Sequence, residues 1–294
     1  MVAGGGMAHA VMMVVMLMFA CFGRLGVARR AGRTEIGAVA GLVADGVDPT
    51  LIEVSDVNKA ALDNLKERHR VSTHEDNLQV AAVADVLILA VKPQRLKTVI
   101  SEMAPSLRAR RPLIISIAAG MTSDTLARWI GDNPAIVRTM PNTPAMVQCG
   151  ATGLFARVGV TDQQRNTAES ILRAVGLTVW VDQEMTLDAV TALSGSGPAY
   201  FFLLMEAMED AGVALGLERH TARLLAQQTA LGAGRMAIES EDPPKELRRK
   251  VTSPGGTTEQ AIARFEAGGF APLVDQALKA AAARAKELSQ QLGD

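Results

Sequence analysis

From about Val39 onward, the hydrophobic positions of the chain alternate between two kinds of segment. Short apolar and β-branched runs, typical of buried strands, are separated by stretches with the helical period of about 3.6 residues. The predicted strands are Leu51–Ser55, Val86–Val91, Leu113–Ile117, Ala135–Thr139, Gly153–Ala156 and Thr178–Val181. The predicted helices among them are Lys59–His69, Arg95–Ala104, Thr122–Ile130 and Asp162–Val175. This alternation predicts an α/β fold with a doubly wound sheet.

After about Asp182 the strand pattern stops and only helical periodicity remains. The predicted helices are Leu187–Leu193, Ala199–Leu215, Thr221–Glu239, Pro244–Val251, Thr257–Ala267 and Phe270–Leu292. The change predicts a second, all-helical domain. Because a small helical domain this rich in Ala, Leu, Met and Gly tends to share its surface with a copy of itself, we expect a homo-oligomer.

The amino terminus does not follow either pattern. No charged residue occurs from Val2 to Gly23, and Val11–Phe22 is nearly all apolar. A membrane span that holds the rest of the chain in the cytoplasm is one interpretation, since arginines follow the run. The alternatives are a buried element or a segment that is not native to the fold. A secretory signal is not expected, because no positive charge precedes the run.

Composition narrows the classes of partner. The formal net charge is −1, and the basic residues form no cluster, so a nucleic-acid partner is not expected. The only two cysteines, Cys21 and Cys149, are far apart, and the four histidines lack metal-ligand spacing. We therefore expect no metal site, a reducing cytoplasmic location and a small-molecule ligand.

Chemistry-bearing residues follow several predicted strands, and in an open parallel sheet ligands bind beyond the carboxyl ends of the strands. The Asp56 carboxylate suits the ribose of NAD, whereas the Ser55 hydroxyl would also allow the 2′-phosphate of NADP to bind. Lys92 follows the most apolar strand and would place an ammonium in the crevice. The small residues of Ser116–Gly120 would let a flat ring or a pyrophosphate approach the backbone. A turn cap at Asp56, a solvated Lys92 and tight packing after Ser116 are the simpler explanations.

Two loops of the helical half are rich in glycine and hydroxyl groups. Ser194–Tyr200 and Val251–Thr258 each lead directly into a predicted helix. Backbone N–H groups at a helix start and nearby hydroxyls together favour a carboxylate. Capping by Ser253 and Thr257 is the simpler explanation for the second loop. Its paired glycines and paired hydroxyls exceed what a cap needs, so we favour a binding site.

Seven segments in order resemble the pyrroline-5-carboxylate reductase family, and the resemblance runs from about Val39 to Asp294. These segments are Asp85–Gln94 (DVLILAVKPQ), Ser116–Gly120 (SIAAG), Met140–Pro144 (MPNTP), Gly150–Gly153 (GATG), Asp188–Tyr200 (DAVTALSGSGPAY), Asp210–Gly216 (DAGVALG) and Val251–Thr258 (VTSPGGTT).

The resemblance implies a Rossmann-type domain over residues 36–183 that binds NADPH or NADH. Residues 184–294 would form a helical substrate-binding and dimerisation domain, and dimers of the family commonly assemble into decamers. The implied reaction is reduction of 1-pyrroline-5-carboxylate to L-proline, the last step of proline biosynthesis, in the cytoplasm, with neither nucleic acid nor membrane as partner.

The resemblance also implies roles for single residues. Ser253 and Thr258 would be catalytic, with Thr258 nearest the imine nitrogen. Substrate-binding positions would be Gly255, Gly256, Thr257 and Asn142. Cofactor-binding positions would be Ser55, Asp56, Asn77, Val91, Lys92, Pro93, Ala118, Ala119 and Glu241.

The chain departs from the family at its start, where a short strand and a G-x-G-N-M-A loop are normal. Gly4–Ala8 resembles this loop without its asparagine, and Arg30–Arg33 has arginine where the first glycine belongs. We interpret residues 1–35 as an atypical segment that is not ancestral to the fold and expect weakened cofactor binding. The alternative function is a non-catalytic or cofactor-impaired paralogue that keeps the helical oligomer.

Overall fold

A nine-stranded sheet lies at the centre of the amino-terminal part of the chain. The computed structural model describes residues 12–17, 24–29 and 33–292. The strands are β1 (Met12–Leu17), β2 (Arg24–Arg29), β3 (Ile52–Asp56), β4 (Ser72–His74), β5 (Val86–Ala90), β6 (Leu113–Ser116), β7 (Ile136–Met140), β8 (Gly150–Ala156) and β9 (Gly176–Trp180). Their order across the sheet is β4-β3-β1-β2-β5-β6-β7-β8-β9.

Twelve α-helices occur in the described residues. They are α1 (Arg33–Ala44), α2 (Lys59–His69), α3 (Asn77–Ala81), α4 (Pro93–Arg110), α5 (Ser123–Ile130), α6 (Asp162–Arg173), α7 (Thr186–Val190), α8 (Gly197–Ala214), α9 (Arg219–Glu239), α10 (Pro244–Lys250), α11 (Thr257–Ala267) and α12 (Phe270–Leu292). A π-helical turn, Thr191–Gly195, continues α7.

The chain divides into two units. Residues up to Gly195 form the first unit together with residues from Ala282 onward, and Ser196–Ala281 forms the second. The first unit contains the sheet, and the second is helical, so the predicted α/β class with a following helical domain is confirmed. The division falls inside α12, whose last eleven residues are counted with the sheet.

The sheet is mixed, with a parallel central part. Strands β2, β5, β6 and β7 run parallel to one another, whereas β8 is antiparallel to β7. Strand β1 is antiparallel to both β2 and β3. Because β2 pairs with β5 and leads toward α1, these two elements take the first strand and helix positions of the dinucleotide-binding topology.

Strand β5 shows why the sequence folds this way, because all five of its side chains are buried. Val86, Ile88 and Ala90 pack into one apolar cluster with α2 and α6. Leu87 and Leu89 pack into another with α3, α4 and α5. A strand covered by helices on both faces must be apolar throughout, which is the pattern that predicted it.

The predicted element positions agree with the structure from β3 onward, with three informative differences. Helix α4 was predicted to end at Ala104, before Pro105, but it continues to Arg110. Burial of Leu107 in the core explains why the helix continues past the proline. The predicted helix Leu187–Leu193 changes to π-helical geometry at Thr191. The short elements β4 and α3 were not predicted.

The amino-terminal segment forms strands where it is described. Met12–Leu17, which lies inside the apolar run considered as a membrane span, is strand β1, so a helical span is not what forms there. No helix in the described part of the chain is long and apolar enough to cross a membrane. The candidate loop Gly4–Ala8 lies outside the described residues, as do Arg30, Ala31 and Gly32 of the second candidate.

Candidate functional site

Three predicted cofactor residues lie together at the carboxyl end of β3. Ser55 and Asp56 are almost fully buried there. The Ser55 hydroxyl donates a hydrogen bond to Asn77 Oδ1 over 3.0 Å, which joins the end of β3 to the start of α3. Asp56 Oδ1 accepts from the backbone N–H of Asn58, the residue that caps α2. The structure therefore brings Ser55, Asp56 and Asn77 together, and their contact with the cofactor stays a prediction.

The turn from β5 into α4 combines a buried and an exposed residue. Val91 is buried, Lys92 is exposed, and Pro93 is the first residue of α4. Helices α2, α3 and α5 each begin with a side chain that accepts a hydrogen bond from the first turn, but α4 does not. At this edge of the sheet, α4 therefore presents its N-terminal dipole beside the Lys92 ammonium, an arrangement that favours an anion.

The turn from β6 into α5 is built from small residues and contacts β7 and α12. Ala118 is buried, Ala119 is exposed, and Gly120 has φ +76°, a conformation that favours glycine. A Cβ atom at Gly120 would lie 3.1 Å from the Leu292 side chain of α12. Thr139 of β7 donates to the backbone oxygen of Ser116 over 3.1 Å. The small side chains here leave the backbone open to a flat ligand while the turn itself stays fixed.

A buried charge cluster lies beyond this turn, and the sequence analysis missed it. The Glu184 carboxylate accepts hydrogen bonds from the Ser123 N–H at 2.6 Å, the Ser123 hydroxyl at 2.8 Å and Arg138 Nη1 at 3.2 Å. Burial raises the pKa of nearby Asp188, an effect opposed by the positive charge of Arg138. The signal that could have revealed the cluster is Arg138 itself, because an arginine within the apolar strand β7 requires a buried partner.

Asn142, predicted to bind substrate, has an engaged side chain. Its Nδ2 donates to the backbone oxygen of Ser194 over 3.1 Å, and its Oδ1 accepts from the backbone N–H of Ala151 over 2.9 Å. The amide thus connects the end of β7, the start of β8 and the π-helical turn. Each polar atom of the amide makes a hydrogen bond within the fold, which gives Asn142 a positioning role, and its predicted contact with the substrate stays a prediction.

In the second unit, the loop Ser253–Thr258 leads into α11. Gly255 has φ +73°, and its N–H donates to Glu259 Oε2 over 2.8 Å. Gly256 is the N-cap residue, and no side chain caps the helix. Capping by Ser253 or Thr257, the simpler explanation of this sequence, is therefore wrong. The first turn of α11 keeps its N–H groups and the hydroxyls of Thr257 and Thr258 available for a carboxylate.

The predicted site residues thus fall into two sets. One set, at the carboxyl edge of the sheet, belongs to the first unit; the other, on the Ser253–Thr258 loop, belongs to the second unit together with the exposed Glu241 between α9 and α10. No cluster of three or more His, Cys, Asp or Glu side chains that could hold a metal occurs among the described residues.

Comparisons with known proteins match both the sheet-containing and the helical part of the chain. Residues 184–288 match a family model described as pyrroline-5-carboxylate reductase dimerisation, and residues 31–120 match one described as coenzyme F420-dependent NADP oxidoreductase. A pyrroline-5-carboxylate reductase of Pseudomonas aeruginosa is 49% identical over 263 residues, covering 90% of this chain and 96% of that protein.

Solved structures give the same result. The pyrroline-5-carboxylate reductase of Coxiella burnetii is 50% identical, with a TM-score of 0.84 over 87% of this chain and 95% of that one. The pyrroline carboxylate reductase of Plasmodium falciparum, solved with NADP bound, is 28% identical, with a TM-score of 0.77 over 88% and 95%. The chain therefore belongs to the pyrroline-5-carboxylate reductase family of oxidoreductases.

Proposed function

We propose that the chain reduces 1-pyrroline-5-carboxylate to L-proline with NADPH or NADH, in the cytoplasm, as a homo-oligomer built from dimers. The observation that carries the proposal is the uncapped start of α11, where no side chain caps the backbone N–H groups of the first turn, beside the hydroxyls of Thr257 and Thr258. This arrangement suits a small substrate that carries a carboxylate beside a C=N bond.

The proposed role of the Ser253–Thr258 loop is to bind and orient the substrate. Backbone N–H groups in the first turn of α11 would hold the carboxylate, and the Ser253 and Thr257 hydroxyls would add hydrogen bonds. Thr258 is half-buried in the first turn of α11, and by its resemblance to the family motif we assign its hydroxyl to the imine nitrogen. A protonated imine is already electrophilic, so the main contribution of these residues is orientation.

The residues at the sheet edge fit a dinucleotide. Buried Ser55 and Asp56 would face the adenosine ribose with Asn77, and Lys92 with the start of α4 would attract phosphate. Val91, Pro93, Ala118 and Ala119 would line the path of the cofactor with small or apolar groups, and Glu241 is assigned to the cofactor by resemblance. When bound, the nicotinamide supplies the hydride, and the protein supplies its placement.

Self-association is supported by the surface of the second unit. Phe201, Phe202 and Leu203 of α8 are each at least 60% exposed, and Leu231 of α9 is 64% exposed. Exposed apolar side chains in this number mark a surface that another protein covers. We propose that a second copy covers it, and that dimers assemble further into decamers.

The first test is nicotinamide oxidation by the purified chain with 1-pyrroline-5-carboxylate, using NADPH and NADH in turn. Turnover with either cofactor supports the proposal. Oligomeric protein that binds neither cofactor would identify the cofactor-impaired paralogue instead. Light scattering of the same sample gives the oligomer size.

A variant pair tests the assigned role of Thr258. Thr258→Val keeps the shape of the side chain and removes its hydroxyl. A hydrogen bond to a charged group is worth about 1.5–3 kcal/mol, so we expect kcat/KM for the imine to fall about 10- to 100-fold. Thr98→Val, at an exposed position on α4, is the control and should leave kcat/KM unchanged. Equal activity of the two variants would remove Thr258 from the site.

A further inference from the structure

Glu184 is a buried carboxylate whose role is not explained by substrate or cofactor contact. Its side chain is 16% exposed, and that of its partner Arg138 is 5% exposed. The residue lies in the connection between β9 and α7, 61 positions along the chain from Ser123, yet it accepts two hydrogen bonds from Ser123. Burying two opposite charges is costly unless geometry and hydrogen bonds compensate, so the position of this cluster is strongly specified.

The two hydrogen bonds from Ser123 fasten the start of α5 to Glu184. Ser123 is the first residue of α5, and its N–H is one of the groups that a helix leaves without an internal partner. Thr122 caps the N–H of Thr125, and Glu184 takes the N–H of Ser123. Side chains therefore occupy two N–H groups in the first turn of α5, unlike at α4, where no side chain caps the helix.

The segment before Ser123 is the cofactor turn, which we define as Ser116–Gly120. It has three anchors from three different parts of the chain. Thr139 holds the backbone oxygen of Ser116, Leu292 packs beside Gly120, and Glu184 holds Ser123, three residues further on. Glu184 provides the only charged anchor among these three, and Arg138 fixes it to strand β7.

We propose that Glu184 is a positioning residue for the cofactor turn, acting through Ser123 and Arg138 without touching the cofactor. The inference rests on the proposed function, since it requires Ala118 and Ala119 to contact NADPH or NADH. Loss of the anchor would let the turn shift, and a displacement of about 1 Å at a binding surface is enough to weaken function strongly.

The test compares NADPH affinity with stability in four variants. Glu184→Gln keeps the shape of the side chain and removes the charge that pairs with Arg138. Ser123→Ala removes one hydrogen bond and leaves the Arg138–Glu184 pair intact, so it keeps the test valid if the first variant fails to fold. Glu102→Gln, at an exposed site on α4, is the charge-matched control. Leu172→Ala, on the buried face of α6, is the stability-matched control.

The measurements are the Kd for NADPH, by quenching of nicotinamide fluorescence, and Tm. We expect Kd to rise about tenfold in Glu184→Gln and about threefold in Ser123→Ala, with KM for the imine nearly unchanged. Leu172→Ala should lower Tm and leave Kd unchanged, and Glu102→Gln should change neither.

The possible results distinguish the positioning role of Glu184 from the proposed function of the chain. Variants at Glu184 and Ser123 that lose Tm but bind NADPH as the wild type does would show a merely structural role and overturn the inference, with the proposed function intact. A wild-type chain that binds no nicotinamide cofactor would overturn the proposed function itself, and the inference with it.

Discussion

Replacing Asn142 separates a residue that binds substrate from one that holds the fold. Asn142→Ala removes the hydrogen bonds to the Ser194 oxygen and from the Ala151 N–H. Each neutral hydrogen bond contributes about 0.5–1.5 kcal/mol, and each polar group left buried and unsatisfied costs about 1–3 kcal/mol. Because Ala151 is half-buried, water can replace only part of what is lost. We therefore expect the free energy of unfolding to fall by about 2–4 kcal/mol.

Asn142→Asp makes the test sharper. An aspartate keeps the acceptor for Ala151 but places a carboxylate oxygen where an N–H group faced the Ser194 oxygen, 3.1 Å away in the native chain. Two facing acceptors repel, so this variant should be destabilised at neutral pH and should recover part of its stability when the carboxyl is protonated at acid pH.

The assay for both variants is urea unfolding followed by circular dichroism, in parallel with KM for the imine. Asn166→Ala, at an exposed position on α6, is the control and should change stability by less than about 0.7 kcal/mol. Full stability in Asn142→Ala, combined with a raised KM for the imine alone, would refute the positioning role and restore the substrate contact.

Three further changes test the fold. Two arginines that hydrogen-bond Glu209 lower its pKa from 4.5 to about 2, so its stabilising effect is present above pH 4.5 and is lost as the pH falls toward 2. Glu209→Gln should flatten that part of a urea-midpoint profile against pH, and an unchanged acid limb would contradict the ion-pair geometry. Gly176→Ala would place a Cβ atom 2.1 Å from the Gly150 oxygen at φ +147°, so we expect a loss above about 4 kcal/mol, and a soluble variant with normal Tm would disprove this contact. Leu89→Ala, fully buried in β5, should cost about 2–5 kcal/mol in urea unfolding; a loss below about 1 kcal/mol would mean that the face of β5 toward α3, α4 and α5 is not packed.

The sequence predicted the elements whose burial has a simple period. Strand β5 and helix α2 lie where the pattern placed them, because each buries a regular set of apolar side chains. The residues at the strand ends were located by topology alone, since ligands bind at the carboxyl edge of a parallel sheet. Local propensity misplaced the end of α4, because Pro105 is disfavoured in a helix and only tertiary packing of Leu107 overrides it.

The candidate site was predictable in its residue types but not in its hydrogen-bond partners. The hydroxyls and glycines of Ser253–Thr258 indicated a binding loop, but only the structure shows that no side chain caps α11. Glu184 gave no local signal, because its partners lie 61 and 46 positions away in sequence. The resemblance assigned Asn142 to substrate binding. Its hydrogen bond to Ser194 depends on a π-helical turn, which hydrophobic periodicity does not indicate.

The division of α12 has a consequence for synthesis on the ribosome. Leu292 packs against the apolar cluster that contains Ala118 and Met121, so the sheet-containing unit needs a side chain from the end of the last helix. The ribosome must therefore make the whole of Ser196–Ala281 before that unit can be completed. Domains generally fold as units during synthesis, amino-terminal first, and here the first unit receives its last apolar contact only when the chain is finished. Chains that end before residue 282 would lack the Leu292 contact and should be less stable.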